Sequence, residues 1–252
     1  MILECRAYEQ TEHFIAPMEK KPRKKLVLPP KDKDFNRTIA YLSKTRGIDR
    51  EIIYAMISQN KVYQAVTQKN GYTFRNCAFV GYDEFGNPRY CALRAPSSKQ
   101  KFRQDVENSD KSYGFCMEGH SNRVYEFEAP IDAMSHATLC KFHGIEWEND
   151  HRVAEGCLSD KALTRYLKLH PEIQEIVFCY DNDIDGKDAK GQLCNHGQIQ
   201  ANRSARKFAK EGYKVFIQTP KTKDFNQDLL VFLEILTHSR DGPKRVEKEM
   251  YR

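Results

Sequence analysis

The fold is decided by residues 175–186, which read Glu175-Ile-Val-Phe-Cys-Tyr-Asp181-Asn-Asp183-Ile-Asp185-Gly186. After Glu175 the segment is apolar or aromatic as far as Tyr180, and this composition is typical of a buried strand. Ligands of open α/β sheets bind beyond the carboxyl ends of the strands, and this strand ends in a run of acids. We therefore expect Asp181 and Asp183 to reach one cation, and Gly186 to let the chain turn sharply afterwards.

Strands and helices alternate on both sides of this segment. Residues 123–128 predict a strand, and Pro130 begins a predicted helix that ends at Gly144. Ser159 is predicted to cap the next helix. Beyond residue 186, a helix over about residues 198–210 precedes a strand and a last helix over residues 228–238. This alternation predicts an α/β fold, with a mainly parallel sheet and helices on both faces.

The part of the chain before about residue 120 predicts a small α+β unit. A helix over residues 36–46 and a second helix capped by Asp49 precede several short strands. Two of these strands flank a hairpin turn over residues 83–88, and residues 113–117 predict a further strand of this antiparallel unit. The predicted organisation is a basic arm or linker (1–33), the small domain (34–120), the parallel-sheet domain (121–238) and a charged tail (239–252).

Composition narrows the class of protein. The 252 residues are 40% hydrophobic and carry a formal net charge of +6, as expected of a weakly basic globular protein. A cluster of five cations favours phosphate backbones, or alternatively forms a solvated linker: Lys20, Lys21, Arg23, Lys24 and Lys25. We expect a cytoplasmic protein, because no apolar run matches a membrane span or a signal peptide. The eight cysteines form no C-x-x-C pair of the kind a zinc ribbon needs.

Carboxylates follow three separate predicted strands. Glu128 ends the first, Asp181 and Asp183 follow the second, and Asp224 comes after the third, next to Lys223. Such a gathering of like charges needs a cation, and Mg²⁺ binds through few carboxylates together with substrate phosphates. The alternative is that these acids are turn or helix-cap residues. An EF-hand is excluded, because Gln192 stands where the twelfth loop position needs Glu.

These strings resemble the Toprim domain of bacterial DnaG-type primases, topoisomerases and some nucleases. The family's E-G-x-x-D string corresponds to residues 128–132, with Ala129 in place of Gly, and its D-x-D-x-x-G string corresponds to residues 181–186. A later K-D pair corresponds to residues 223–224. The strings Phe79-Val-Gly-Tyr-Asp-Glu-Phe-Gly-Asn-Pro-Arg-Tyr and Ser109-Asp-Lys-Ser-Tyr-Gly-Phe resemble the uncharacterised domain that precedes Toprim in plasmid and integrative-element proteins.

The resemblance implies Mg²⁺- or Mn²⁺-dependent nucleotidyl transfer of the primase type, on single-stranded DNA and with nucleoside triphosphates. Glu128, Asp181 and Asp183 would be catalytic and, with Asp224, would hold the metal. The basic residues assigned to nucleotide or nucleic acid are Arg94, Lys111 and Lys223. A Toprim nuclease and an inactive nucleic-acid-binding accessory of a mobile element remain alternatives. Replication or conjugation proteins are the expected protein partners.

The resemblance also implies an N-terminal zinc-binding module, which related proteins often carry and which this sequence lacks. A truncated gene product, an excised fragment, or a partner that supplies the module would each account for that difference.

Overall fold

The computed structural model describes residues 24–97, 102–156 and 159–239. Much of the predicted arm, including Lys20, Lys21 and Arg23, and the predicted tail beyond Ser239 lie outside these residues. Residues 24–33 lie along the first sheet, where Leu26 is buried and the backbone N–H of Asp32 donates to the carbonyl of Gln64. Among the described residues no helix has both the length and the apolar character needed to cross a bilayer.

Two helices begin the first unit, as predicted. Helix α1 (Asn36–Ala40) continues as a π-helical turn (Tyr41–Thr45), and Gly47 follows with a positive φ of 71°. Helix α2 (Arg50–Ser58) begins after Asp49, whose carboxylate accepts the backbone N–H of Glu51 at 2.8 Å. This contact satisfies one of the free N–H groups at the helix start.

The first sheet is antiparallel, with four strands in chain order: β1 (Val62–Lys69), β2 (Tyr72–Tyr82), β3 (Pro88–Arg94) and β4 (Arg103–Asp105). The predicted hairpin joins β2 and β3. Its turn is held by Asp83, whose Oδ1 accepts the backbone N–H groups of Phe85 and Asn87. Strand β4 was not predicted, because its three residues carry no apolar pattern.

The second sheet has the order β5-β7-β6-β8-β9. Strands β6 (Arg123–Phe127), β7 (His151–Ala154), β8 (Glu175–Cys179) and β9 (Lys214–Ile217) are parallel, while β5 (Phe115–Met117) pairs antiparallel with β7 at the edge. The predicted parallel sheet is confirmed. The prediction that residues 113–117 belong to the antiparallel unit was wrong, because β5 pairs with β7 instead. Strand β7 was missed, since His-Arg-Val-Ala shows no strand-like alternation.

Helices cover both faces of this parallel sheet. Helices α4 (Lys161–Leu169) and α5 (His196–Lys210) share a core with one face, which includes Leu163, Phe178 and Phe208. Helices α3 (Pro130–Phe142) and α6 (Phe225–Ser239) pack on the other face. That second core continues through Ile52 of α2 and Phe79 of β2, so the two sheets share one apolar interior.

The start of α4 differs from the prediction. Ser159 does not cap it. The buried carboxylate of Glu155, just after β7, accepts the backbone N–H of Leu163 at 2.9 Å and that of Ala162 at 3.2 Å. The Ser159 hydroxyl donates to the same carboxylate at 2.8 Å. An acid from a neighbouring strand end therefore satisfies the helix N-terminus in place of a local cap.

Candidate active site

Two adjacent strand ends bring the first pair of acids together. Strands β6 and β8 are paired in parallel, so Phe127 lies opposite Cys179, and Glu128 and Asp181 follow at the same edge. The backbone N–H of Asp181 donates to Oε1 of Glu128 at 3.1 Å. The predicted convergence of these two residues is present in the structure.

Helix α5 begins directly against this pair. A Cβ atom on Gly197 would lie 2.2 Å from the carbonyl oxygen of Asp181 and 3.0 Å from Oε1 of Glu128. Only glycine allows the helix to approach the strand end so closely. The tight contact fixes the position of Asp181 relative to Glu128.

Lys223 reaches the same acids from the loop before α6. Its ammonium nitrogen lies 3.4 Å from Oδ1 of Asp183 and 4.0 Å from Oδ2 of Asp181. The loop is fixed by the backbone N–H of Asn182, which donates to the carbonyl of Lys223 at 2.7 Å. The ammonium group of Lys223 is therefore shared between the carboxylates of Asp181 and Asp183.

Two further acids belong to the same region. Asp132 lies in the first turn of α3, and its Oδ1 accepts the backbone N–H of Asn226 at 3.1 Å. Asp224 precedes α6, and its Oδ1 accepts the backbone N–H of Gln227 at 2.7 Å. Asp224 therefore makes a helix-capping contact, the alternative that the sequence had left open, while it also lines the cavity shared with Asp132.

The acids are crowded and partly removed from water. Burial raises the pKa of Asp181 to about 8, and the charges of Asp132, Glu128 and Asp224 add to the effect. Burial likewise raises the pKa of Asp132 to about 7, with a contribution from Asp224. Burial is also the main reason that the pKa of Glu128 is raised. A cation placed among these groups would relieve the repulsion and restore their ionised forms.

A basic wall faces the acids. Arg94 of β3 lies opposite Arg103 of β4 in the sheet register, and burial lowers the pKa of Arg94. A cavity of about 190 Å³ separates this wall from the strand ends. Charged residues that line it are Arg46, Arg94, Arg103, Asp105, Glu128, Asp132, Asp181, Lys223 and Asp224.

Lys111, the other basic residue assigned from the sequence, is not among the residues that line the cavity. Its ammonium group lies 3.1 Å from Oδ2 of Asp105, which does line the cavity. Lys111 therefore belongs to the rim.

Gly186 has a different role from the one expected. Its φ is not positive, so it does not supply a turn conformation that only glycine adopts. A Cβ atom there would instead lie 2.5 Å from the carbonyl of Cys194 and 2.9 Å from that of Asp183. Glycine is needed because two stretches of backbone in the loop approach closely.

Several residues of the site were not assigned to it from the sequence. Asp132 ends the string that resembles E-G-x-x-D, but it was given no role in the site, because an acid early in a helix has an ordinary explanation as well. Arg46 and Arg103 gave no local signal. Arg46 donates to Oδ1 of Asn226 at 3.0 Å, across 180 positions of the chain. Asn226 also donates to Ser135 at 2.9 Å, so it joins the end of the π-helical turn, α3 and α6 behind the cavity.

A second cluster with metal-ligand chemistry consists of His151, His170 and Glu172. Both ring nitrogens of His151 are already engaged. Nδ1 lies 2.7 Å from the Tyr166 hydroxyl and accepts the backbone N–H of Gly119 at 3.1 Å, while Nε2 lies 3.1 Å from the carbonyl of Ser121. The histidine therefore serves the packing of β7 and α4.

Comparisons with known proteins place these observations in a family context. Residues 125–229 match the family described as Toprim-like, and residues 40–121 match a family described as a protein of unknown function (DUF3991). A search of curated proteins found no match.

Three primases are among the solved structures that align with this chain. The primase fragment of the bacteriophage T7 primase-helicase protein aligns with a TM-score of 0.51 and 14% identity, over 79% of this chain and 73% of that one. The DnaG primase catalytic domain bound to ssDNA aligns with a TM-score of 0.48 and 14% identity, over 81% and 70%. The zinc-binding and RNA polymerase domains of the Aquifex aeolicus primase align with a TM-score of 0.46 and 13% identity, over 82% and 55%. The first of these similarities shows a shared fold.

Proposed function

This chain carries a Toprim-like domain preceded by a DUF3991 domain, and we propose on that premise that it catalyses Mg²⁺-dependent, primase-like nucleotidyl transfer on DNA. One observation carries the proposal: acids from two strand ends and two helix starts line a single cavity with arginines of the first sheet. The acids suit a divalent cation and the arginines suit phosphates. A nucleoside triphosphate with a bound metal ion would present the cation to the acids and the phosphates to the arginines.

The acids fit a hard cation. Asp181, Asp183, Glu128 and Asp224 offer only oxygen ligands. The pKa values of Asp181 and Glu128 are raised, so a cation bound there would favour their ionised forms. Mg²⁺ or Mn²⁺ held by these residues would polarise phosphate oxygens and stabilise the pyrophosphate that leaves. The ammonium group of Lys223 already neutralises Asp181 and Asp183 in part.

Glu128 is the candidate general base. Its Oε1 accepts the backbone N–H of Asp181, which leaves Oε2 to accept a proton from an attacking hydroxyl. Burial raises the pKa of this carboxyl, and a higher pKa makes it a stronger base.

The basic residues would hold the anionic substrates. Arg94 and Arg103 can donate several N–H groups to phosphate oxygens, and the partial burial of Arg94 strengthens its contacts. Lys111 would meet a template strand at the rim, where its charge is shared with Asp105. Lys223 would move between carboxylate and phosphate as the substrate enters.

The test combines purified protein with single-stranded DNA, ribonucleotides or deoxyribonucleotides, and Mg²⁺ or Mn²⁺. We expect labelled primers, which EDTA abolishes. The Asp181→Asn, Asp183→Asn double variant should reduce their yield at least about 100-fold, because asparagine keeps the shape and removes the charge. The matched control is Glu146→Gln with Glu148→Gln, two exposed acids in the loop before β7.

The proposed activity and its two alternatives give different outcomes in this assay. Shortened or nicked DNA in place of primers would indicate a nuclease, and retarded but unchanged DNA would indicate a binding accessory. Full activity in the Asp181 and Asp183 double variant, with the Mg²⁺-induced rise in melting temperature retained, would rule out this metal site.

A further inference from the structure

Helices α4 and α5 form a surface of one charge. Helix α4 carries Lys161, Arg165 and Lys168, and α5 carries Arg203, Arg206, Lys207 and Lys210. Neither helix contains an aspartate or a glutamate. Like charges at helical spacing repel one another, so folding alone gives no reason for this composition. The two helices share one face of the parallel sheet, and their outer sides form what we call the α4–α5 surface.

Most of these cations have no acidic partner. Arg165 pairs with Glu84, and Lys207 pairs with Asp160 at 3.2 Å. The other five are exposed and make no ion pair within the part of the chain that the structure describes: Lys161, Lys168, Arg203, Arg206 and Lys210. Their charge is therefore available to an anionic partner.

Two open grooves connect the cations. One, of about 490 Å³, is lined by Lys161, Arg165, Lys168 and Lys207. The other, of about 770 Å³, is lined by Arg203, Arg206, Lys207 and Lys210. Because Lys207 lines both grooves, the charged path runs without a break from α4 to α5.

The path reaches the candidate active site at one end. Asn195 and Gln198 also line the larger groove. Gln198 donates to the carbonyl of Asp181 at 3.2 Å, and Asn195 donates to the side chain of Asn182 at 2.8 Å. A chain of phosphates bound along α5 would thus pass directly to the strand end that carries Asp181.

Among the described residues, those that line the two grooves include no aromatic side chain. Surfaces that bind unpaired bases combine positive charge with aromatic rings on which the bases stack. A surface with charge alone recognises the phosphate backbone, and a duplex presents its backbone while its bases are paired inside.

We propose that the α4–α5 surface binds the phosphate backbone of double-stranded nucleic acid that extends from the carboxylate site. This inference rests on the proposed function, because that function makes nucleic acid the substrate. The surface lies outside the cavity, so it would hold the paired region while the cavity acts at the strand end.

The test measures binding of the full chain to a fluorescent DNA duplex of about 20 base pairs by anisotropy, with EDTA present to prevent catalysis. The variant is Arg203→Gln, Arg206→Gln, Lys210→Gln. Its matched control is Lys33→Gln, Lys44→Gln, Arg50→Gln, which removes the same charge from exposed positions elsewhere. We expect the surface variant to bind at least about 10-fold more weakly near 0.1 M salt, and its salt slope to fall by about two to three. The control should change affinity less than about twofold.

A second variant guards against a folding artefact. Lys161→Gln with Lys168→Gln lies on α4 and should also weaken binding, while thermal unfolding confirms that each variant is folded. The inference is overturned if the surface variants keep the wild-type affinity and salt slope, if the control loses as much, or if only single-stranded DNA is affected. A wild-type protein that binds duplex through this surface yet makes no metal-dependent product contradicts the proposed function and leaves the surface standing.

Discussion

The backbone N–H of Asp181 donates to Oε1 of Glu128 at 3.1 Å, so the ends of β6 and β8 are joined by one hydrogen bond across 53 positions of the chain. Glu128 consequently has two roles. One oxygen holds the neighbouring strand end in place, and the negative charge adds to the repulsion that raises the pKa of Asp181. Substitutions at Glu128 can separate these roles.

Replacing Glu128 with Gln should keep the hydrogen bond and remove the charge, whereas Ala removes both. Without metal, we expect the Gln variant to be as stable as wild type or up to about 1 kcal/mol more stable, since one like charge is gone. The Ala variant should lose about 1–3 kcal/mol, because the N–H of Asp181 loses its partner. Chemical denaturation in EDTA measures both. Equal stability of the two variants would show that the hydrogen bond between Asp181 and Glu128 does not stabilise the fold.

The pH dependence of stability should reveal the raised pKa values of Asp181, about 8, and Asp132, about 7. The folded protein keeps protons that the unfolded chain has already released above its carboxyl pKa near 3.8. The stabilisation that these retained protons give the fold is therefore complete below the unfolded pKa. It is lost as the pH rises through the folded pKa values. In EDTA, the free energy of unfolding should fall by about 1–3 kcal/mol between about pH 6.5 and 8.5.

Asp181→Asn should remove more than half of that fall, and added Mg²⁺ should reduce it in the wild type by favouring the ionised carboxylates. The control Glu146→Gln should leave the profile unchanged. A wild-type profile that rises over this interval would contradict the pKa assignments.

Gly197→Ala should destabilise the protein, against the usual preference of helices for alanine. The new Cβ atom would lie 2.2 Å from the backbone oxygen of Asp181, so α5 or the strand end must move. We expect a loss of about 2 kcal/mol or more and a weaker metal-dependent activity. Asn202→Ala, at an exposed position of the same helix, serves as the control. A stabilised Gly197→Ala variant would show that the close approach is not required.

Glu155 and Ser159 allow a matched comparison at the start of α4. Glu155→Ala leaves the backbone N–H groups of Ala162 and Leu163 without their acceptor in a buried place, and should cost about 3 kcal/mol or more. Ser159→Ala removes one hydroxyl contact and should cost about 1 kcal/mol or less. Urea unfolding measures the loss of stability in both variants. A larger loss at Ser159 would restore it as the helix cap.

Local sequence patterns were enough to predict the strands that end just before Glu128 and Asp181, the helices α3 and α5, and the β2–β3 hairpin. Each depends on a pattern within a few neighbouring residues: an apolar run that ends in acids, a proline that begins a helix, or a turn with Gly, Asn and Pro. Such short-range preferences survive in the fold, because the residues concerned interact mainly with their own neighbours in the chain.

The remaining features depend on contacts that form only in the folded chain. Arg46 and Arg103 reach the cavity from parts of the chain distant from the acids, and no local pattern marks them. The short strands β4 and β7 exist because a partner strand supplies their hydrogen bonds, and Glu155 caps α4 because folding brings a strand end to a helix start. Gly186 and Gly197 are needed where two backbones approach. Each of these features depends on a contact between segments that are far apart in the sequence. The contact contributes to stability only in the folded chain, so no local pattern predicts it.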